Sequence, residues 1–277
     1  MKFLIIGDFH GKLPKGLKSF VKKEKIDLVI SLGDYFPFSA RNLFFKYCYK
    51  KDIELWEIIG KKKVKEYILK DLKEGEKILK VLNELPVPVF TTIGNIDYHR
   101  VNDSIDKVEH KWKWEAQDFF SSMIKKYKNI KRIDYSYAKF KNFVFIGAYG
   151  CSFPGYVKSK AYKKHRKKLD DLFKRFKKEN KAREIIFVSH NVPYNTKLDK
   201  ISQKVENPMI KHYGSKLVRR IIDRYQPFLF FGGHMHENPG KIKLGKTTVI
   251  NPGAVVENKM VIVDIKEGKM KGVKFIR

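Results

Sequence analysis

Short apolar runs with no polar alternation recur along the chain, at residues 3–6, 28–32, 87–93, 143–146, 185–189 and 228–231. Each is bounded by Gly, Asp or Ser or lies beside them, and the unbroken apolar character predicts strands buried on both faces. Helical spacing separates several of these runs. Leu17, Phe20 and Val21 follow Pro14. Leu169, Leu172, Phe173 and Phe176 make a single apolar stripe on an otherwise basic helix, and Leu217, Val218, Ile221, Ile222 and Tyr225 make another, with Ser215 placed to cap it. After His236 the texture changes to short strands at 247–250, 260–265 and 272–276, broken by Asn251-Pro252-Gly253 and Glu267-Gly268. This end is expected to be antiparallel. The whole pattern predicts an α/β chain with two packed, mixed β-sheets flanked by helices.

Between Asp34 and Val87 lies more sequence than one crossover helix needs. Residues 41–59 are aromatic-rich (Phe44, Phe45, Tyr47, Tyr49, Trp56), and residues 61–85 read as a Lys/Glu helix. With no Ser/Gly/Pro-rich linker on either side, we read about 37–85 as a helical insertion beside the site, within a single domain spanning 1–277. No internal repeat stands out.

Charge changes the picture only in part. Sixty Lys plus Arg against thirty Asp plus Glu give a formal charge of +30, which draws anionic partners whatever the specific function. Two explanations compete: lysine spread over solvated faces, as in a thermophile, and a dedicated nucleic-acid surface. The basic residues are distributed, with denser runs at Lys61-Lys62-Lys63 and 163–168 and no detached tail. Cys48 and Cys151 are too few for a disulfide framework or a zinc–thiolate site and suit a reducing interior. Residues 3–6 are too short for a signal-peptide core, and no apolar stretch approaches the roughly twenty residues of a membrane span. The expectation is a soluble cytoplasmic protein with no membrane partner.

The candidate chemistry sits where the apolar runs end. Asp8-Phe9-His10, Gly33-Asp34, Gly94-Asn95, His190 and Gly233-His234-Met235-His236 supply imidazoles, carboxylates and an amide without a thiolate. A lone His is commonly a satisfied core residue, and a lone Gly-Asp a turn. Five such segments, each opening a loop at the carboxyl edge of the sheet, instead predict a site for two hard or borderline divalent ions.

At these positions the chain resembles the calcineurin-like metallophosphoesterase superfamily, whose pattern is Asp-x-His, Gly-Asp, Gly-Asn-His-Asp/Glu, His and Gly-His-x-His. It looks closest to the predicted phosphoesterases related to cyclic-nucleotide phosphodiesterases, on the segment from His190 to Asp199, His212-Tyr213-Gly214-Ser215 and Asn251-Pro252-Gly253-Ala254. The resemblance implies a four-layer α/β/β/α sandwich. It also implies that Asp8, His10, Asp34 and His236 hold one ion and that Asp34, Asn95, His190 and His234 hold the other, with Asp34 bridging. Nitrogen and oxygen ligands favour Mn²⁺, with Fe, Zn²⁺ or Ni²⁺ as alternatives. A carboxylate can span two cations about 3.5–4 Å apart, and the pair lowers the pKa of a shared water whose hydroxide attacks phosphorus.

One departure bears on the substrate. Where the superfamily has Gly-Asn-His-Asp/Glu, this chain has Gly94-Asn95-Ile96-Asp97, so the imidazole assigned as proton donor to the leaving group is missing. Asp97 keeps the acidic position, with an expected hydrogen bond to a neighbouring ligand or loop amide. His99 is the expected substitute donor. His212 is its rival and stands at a helix start where free amides receive a phosphate oxygen. Arg41 and Phe36 are weighed as pocket residues, with a surface role preferred for each. Trp112 and Trp114 are expected to pack a helix onto a core, with Phe119 and Phe120, and not to stack bases. The reaction expected is metal-dependent hydrolysis of phosphodiesters of nucleotide or aryl type. The alternatives are a nuclease on DNA or RNA and a non-catalytic nucleic-acid-binding or scaffold protein on the same fold.

Overall fold

The parallel pair β1 (Lys2–Ile6) and β2 (Leu28–Ser31), linked through α1 (Leu17–Lys23), shows why the apolar runs are unbroken. Phe3 and Ile5 point to one side of the sheet, into a core that also holds Leu28, Ile30, Phe145, Ile186 and Phe231. Leu4 and Ile6 point to the other, against Leu17, Val21 and helices further along the chain. Neither face meets water, so both are apolar apart from Lys2 and Ser31 at the strand ends.

The computed structural model describes residues 1–49, 51–98, 112–149, 160–179, 184–201 and 211–277. After β2 come α2 (Arg41–Tyr47), α3 (Leu55–Ile59), α4 (Lys61–Asn83), β3 (Val89–Thr91), α5 (Phe119–Ile124), β4 (Ile130–Arg132), β5 (Tyr137–Phe140) and β6 (Phe143–Ala148). They are followed by α6 (Lys160–Glu179), β7 (Glu184–Asn191), α7 (Lys216–Tyr225), β8 (Leu229–Gly233), β9 (Gly240–Leu244), β10 (Thr247–Asn251), β11 (Met260–Lys266) and β12 (Lys269–Ile276). Among the described residues the strands form two six-stranded sheets, ordered β12-β11-β1-β2-β3-β4 and β5-β6-β7-β8-β10-β9. The inner faces of the two sheets share one core. The outer face of the second packs Val144, Ile146, Phe187 and Phe230 on Leu169, Phe173 and Phe176 of α6 and on Leu217, Val218, Ile221 and Ile222 of α7. The fold is a four-layer α/β/β/α sandwich of two mixed sheets flanked by helices.

Three details differ from the sequence reading. The run at 87–93 gives only the three-residue β3, since Pro86 and Pro88 offer no amide to a ladder. The end of the chain is not wholly antiparallel: β10 runs antiparallel to β9 but parallel to β8. The strands β4, β5 and β9 had no apolar run to announce them, because they are short and partly solvated. The segment expected to be helical between Asp34 and Val87 forms α2, α3 and α4. Among the described residues no helix is long and apolar enough to cross a membrane.

Candidate metal centre

The carboxyl ends of β1, β2 and β3 in one sheet face those of β7 and β8 in the other, so the candidate site belongs to both sheets and not to the edge of one. Asp8 and His10 follow β1, Asp34 follows β2, Asn95 follows β3, His190 lies at the end of β7, and His234 and His236 follow β8. To bring side chains inward from strand ends, the backbone bends sharply. Asp8, His10, Asp34 and His234 all have left-handed backbones, with φ of 55°, 45°, 58° and 69°. For non-glycine residues this costs about 1–3 kcal/mol each, and such strain concentrates at functional sites. Gly33 and Gly94 let two of these turns touch: a Cβ on Gly94 would fall on Asp34 Oδ1, and one on Gly33 would fall on the Gly94 amide.

Two groups of donor atoms result, Asp8, His10 and His236 on one side and Asp34, His190 and His234 on the other, with the donor atoms in each group within 4.8 Å of one another. In the first, His10 Nε2 lies 3.3 Å from His236 Nε2, which lies 3.1 Å from Asp8 Oδ1. In the second, His190 Nε2 lies 2.9 Å from Asn95 Oδ1 and 3.3 Å from His234 Nδ1. Asp34 Oδ2 joins the groups, 3.8 Å from His10 Nε2 and 3.5 Å from His190 Nε2.

The surrounding hydrogen bonds fix these orientations. His190 Nδ1 donates to the Leu32 carbonyl at 2.8 Å, leaving Nε2 to face Asn95, His234 and Asp34. Both Asp8 oxygens accept the His234 amide, at 3.2 and 3.1 Å. Burial pushes the Asp8 carboxyl up, but the hydrogen bond from His236 and the nearby imidazoles bring it well below the usual carboxylate range. Burial opposes charge on His190, yet Asp34 and Asp8 hold its pKa above the ordinary histidine value. Burial and the neighbouring His190 lower His234 to about 4. A fully buried imidazole whose charged form is favoured by two carboxylates marks a place of negative potential. Four nitrogens, two carboxylates and one amide oxygen converge there with no thiolate, a donor set that fits two hard or borderline divalent cations.

The calcineurin-like phosphoesterase profile matches residues 1–238, which takes in every one of these side chains. The chain belongs to the calcineurin-like phosphoesterase family. The uncharacterized protein MJ1162 of Methanocaldococcus jannaschii is 26% identical over 256 residues, covering 91% of this chain and 88% of that protein. Among solved structures, TT1561 of Thermus thermophilus is similar over 100% of this chain and 99% of its own, with a TM-score of 0.57 at 15% identity. The purple acid phosphatase PPD1 of yellow lupin is similar over 99% of this chain and 53% of its own, with a TM-score of 0.51 at 11% identity. These likenesses are of fold. The family is one of binuclear, metal-dependent hydrolases of phosphoesters, and this chain is a metal-dependent phosphoesterase.

The remaining candidates from the sequence take different places. Asp97 is buried and accepts the amides of Asp34, Tyr35 and Gly94 at 2.9, 2.6 and 2.8 Å, tying the Asp34 turn to the Asn95 turn. Burial and the charge of Asp34 raise its pKa to about 7, against the pull of those three amides. His99 lies outside the described residues. His212 Nδ1 donates to Asp199 Oδ1 at 2.8 Å. Asp199 is fully buried and also accepts the amides of Asn195, Thr196 and Gly214. Phe36 is neither a pocket nor a surface residue: it is buried between Tyr98 and Phe120. Arg41 is exposed, over the Phe45 ring. Trp112 and Trp114 pack on each other and against the helical core, as expected.

Two residues had no role assigned to them from the sequence. Asp199 closes a capping box with Thr196, and the Thr-x-x-Asp spacing was the available signal. Asp71 lies on the buried stripe of α4, among Ile68, Leu72 and Gly75, and it accepts Ser39 N, Ser39 Oγ and Tyr98 Oη. A carboxylate on an apolar stripe was its signal.

Proposed function

We propose that this phosphoesterase hydrolyses phosphodiesters, of nucleotide or aryl type, in preference to alkyl monoesters. The observation that carries this reading is Ile96. It follows Asn95 at the mouth of the site, and its backbone amide donates to Asp34 Oδ1 at 3.1 Å. An aliphatic side chain there has no proton to give. Losing a positioned acid costs about 10²–10⁴-fold in rate, least for leaving groups that need little protonation. Esters that expel a basic alkoxide lose most, and aryl diesters least.

In this reading Asp8, His10, Asp34 and His236 would hold one ion and Asp34, Asn95, His190 and His234 the other. Mn²⁺ is the first choice and Fe, Zn²⁺ and Ni²⁺ the alternatives. When bound, such a pair supplies Lewis-acid activation of water and of the phosphoryl oxygens. The chain's own contribution is position. His190 is locked by Leu32, Asp8 by the His234 amide and His236, and the Asp34 turn by Asp97. Proton supply to the leaving group falls to His99, four positions after Asn95 in the sequence. His212 is the rival, its Nδ1 held by Asp199. A cytoplasmic setting accords with the free thiol of Cys48.

The test is a screen of bis-p-nitrophenyl phosphate, p-nitrophenyl phosphate, cyclic nucleotides and short oligonucleotides with added Mn²⁺. Diesters are expected to turn over fastest. A clear preference for alkyl monoesters would overturn the reading.

A further inference from the structure

One helix breaks the chain's habit of using lysine. Of the sixty basic residues only ten are arginines, and three of these, Arg219, Arg220 and Arg224, lie within the ten residues of α7. Lysine spread over solvated faces accounts for the charge elsewhere, but it does not account for this. Arginine's planar fork matches phosphate oxygens and stacks on flat rings, whereas lysine acts as a point charge.

All three arginines line one depression of about 490 Å³, together with Tyr194, Lys216 and Asp223. Lys216, Arg220 and Arg224 recur every fourth residue, so they form a single stripe, which flanks the face that buries Leu217, Val218, Ile221 and Ile222. Successive members are about 6 Å apart along the helix axis, on the scale of a nucleotide step in an extended strand. The partners of these cations differ in a telling way. Arg219 is committed to the fold: it donates to Asp223 at 2.9 Å and to the carbonyls of Tyr194 and Asn195 at 3.3 Å. Arg224 makes a long contact, 3.9 Å to Asp170, and lies over the Tyr225 ring at 5.5 Å. Arg220 is exposed and has no hydrogen-bond or ion-pair partner among the described residues. Lys216 lies over the Tyr194 ring at 5.2 Å.

Tyr194 lies where the loop leaving β7 meets the start of α7, its amide donating to the Ser215 carbonyl at 3.2 Å. It stands four residues beyond His190 on the loop that leaves β7, and its ring meets His212 edge-on at 5.8 Å. An aromatic ring beside a row of cationic side chains, on the loop that continues from His190, is an arrangement that binds single strands, with bases stacking on the ring and phosphates following the charges. We infer that the α7 depression and Tyr194 bind a single-stranded nucleic acid, leading it along Lys216, Arg220 and Arg224 toward the metal centre. The inference rests on the phosphodiester reading for its direction and deepens it by naming the substrate class.

The experiment uses the full chain loaded with Mn²⁺ and a fluorescent, hydrolysis-resistant phosphorothioate oligothymidine of about twenty nucleotides, longer than one such groove covers. Affinity is read by anisotropy from about 50 to 200 mM salt. The double variant Arg220→Ala/Arg224→Ala should bind at least about tenfold more weakly, with a log–log salt slope shallower by about 1.4, since each phosphate contact on a single strand contributes about 0.7. Tyr194→Ala should weaken binding with little change in slope. Lys163→Ala/Lys167→Ala on α6 should change both little and should hydrolyse bis-p-nitrophenyl phosphate at the wild-type rate. No binding by the wild type would overturn the inference, as would equal loss in the α6 variant, which would mean a diffuse field. Tighter binding of duplex with no dependence on Tyr194 would also overturn it. Failure of the phosphodiester reading shows separately, as absence of diester hydrolysis in the wild type while anisotropy is unchanged.

Discussion

Asp71 is the residue through which the long helix α4 reaches the site, and Asp71→Ala tests that connection. The carboxylate is fully buried and accepts three donors: the Ser39 amide at 3.1 and 3.0 Å, Ser39 Oγ at 2.5 Å and Tyr98 Oη at 2.8 Å. Ser39 ends the loop that begins at Asp34, and Tyr98 ends the turn that begins at Asn95, so one carboxylate pins both. Each buried donor left without an acceptor costs about 1–3 kcal/mol. Ser39 is exposed and Tyr98 half-buried, so water replaces part of the loss. The expected cost is therefore about 2–4 kcal/mol, below the simple sum. Loosening residues that support metal ligands commonly weakens metal affinity about 10–100-fold, and the same is expected here for Mn²⁺. Urea unfolding of chelator-treated protein gives the first quantity, and calorimetric titration with Mn²⁺ gives the second. Tyr98→Phe removes one hydrogen bond and should cost about 1 kcal/mol. A loss below about 1 kcal/mol in Asp71→Ala, with an unchanged Mn²⁺ titration, would show that the two loops hold themselves and refute the reasoning.

Other consequences can be measured directly. Asp34→Asn and His236→Ala should each lower metal content and activity, because Asp34 Oδ2 serves both donor groups and His236 anchors one of them; unchanged metal in both variants would remove the basis for a two-ion site. If His99 supplies the proton, His99→Ala should slow alkyl diesters much more than p-nitrophenyl diesters while leaving metal content intact. The same differential loss in His212→Ala instead would transfer the role to the residue held by Asp199. Burial and the neighbouring Glu54 raise the Glu115 carboxyl to about 7. The native state therefore binds more protons than the unfolded chain between about pH 4.5 and 7, and stability falls as pH rises through that window. Glu115→Gln should gain stability relative to wild type at pH 8 and little at pH 4, and a difference independent of pH would contradict this.

Much of the framework is legible along the chain. The runs at 3–6, 28–32, 143–146, 185–189 and 228–231 became β1, β2, β6, β7 and β8 because strands buried on both faces must be apolar throughout. Ser215 caps α7 as its position indicates, accepting the Val218 amide. The strand β9 was not legible, since an edge strand alternating half-buried glycine, isoleucine and leucine with exposed lysine lacks the density of a core strand. Asp71 was also hidden, because in a Lys/Glu-rich helix one more acid looks solvated until the packing shows which face it occupies.

The sequence by itself determined the kind of chemistry: imidazoles, carboxylates and an amide at strand ends, no thiolate, and an isoleucine where an acid is usual. Tertiary structure alone decided the distances. Asp8 and His236 are 228 positions apart in the chain and 3.1 Å apart in space. Only the meeting of two sheets at their carboxyl ends brings them there. It also decided which charges matter. Arg220 is one cation among sixty in the sequence. The packing of α7, which buries the adjoining face of the helix, leaves its guanidinium exposed beside Tyr194, because a helix can keep a charge in water only on the side its apolar stripe does not use.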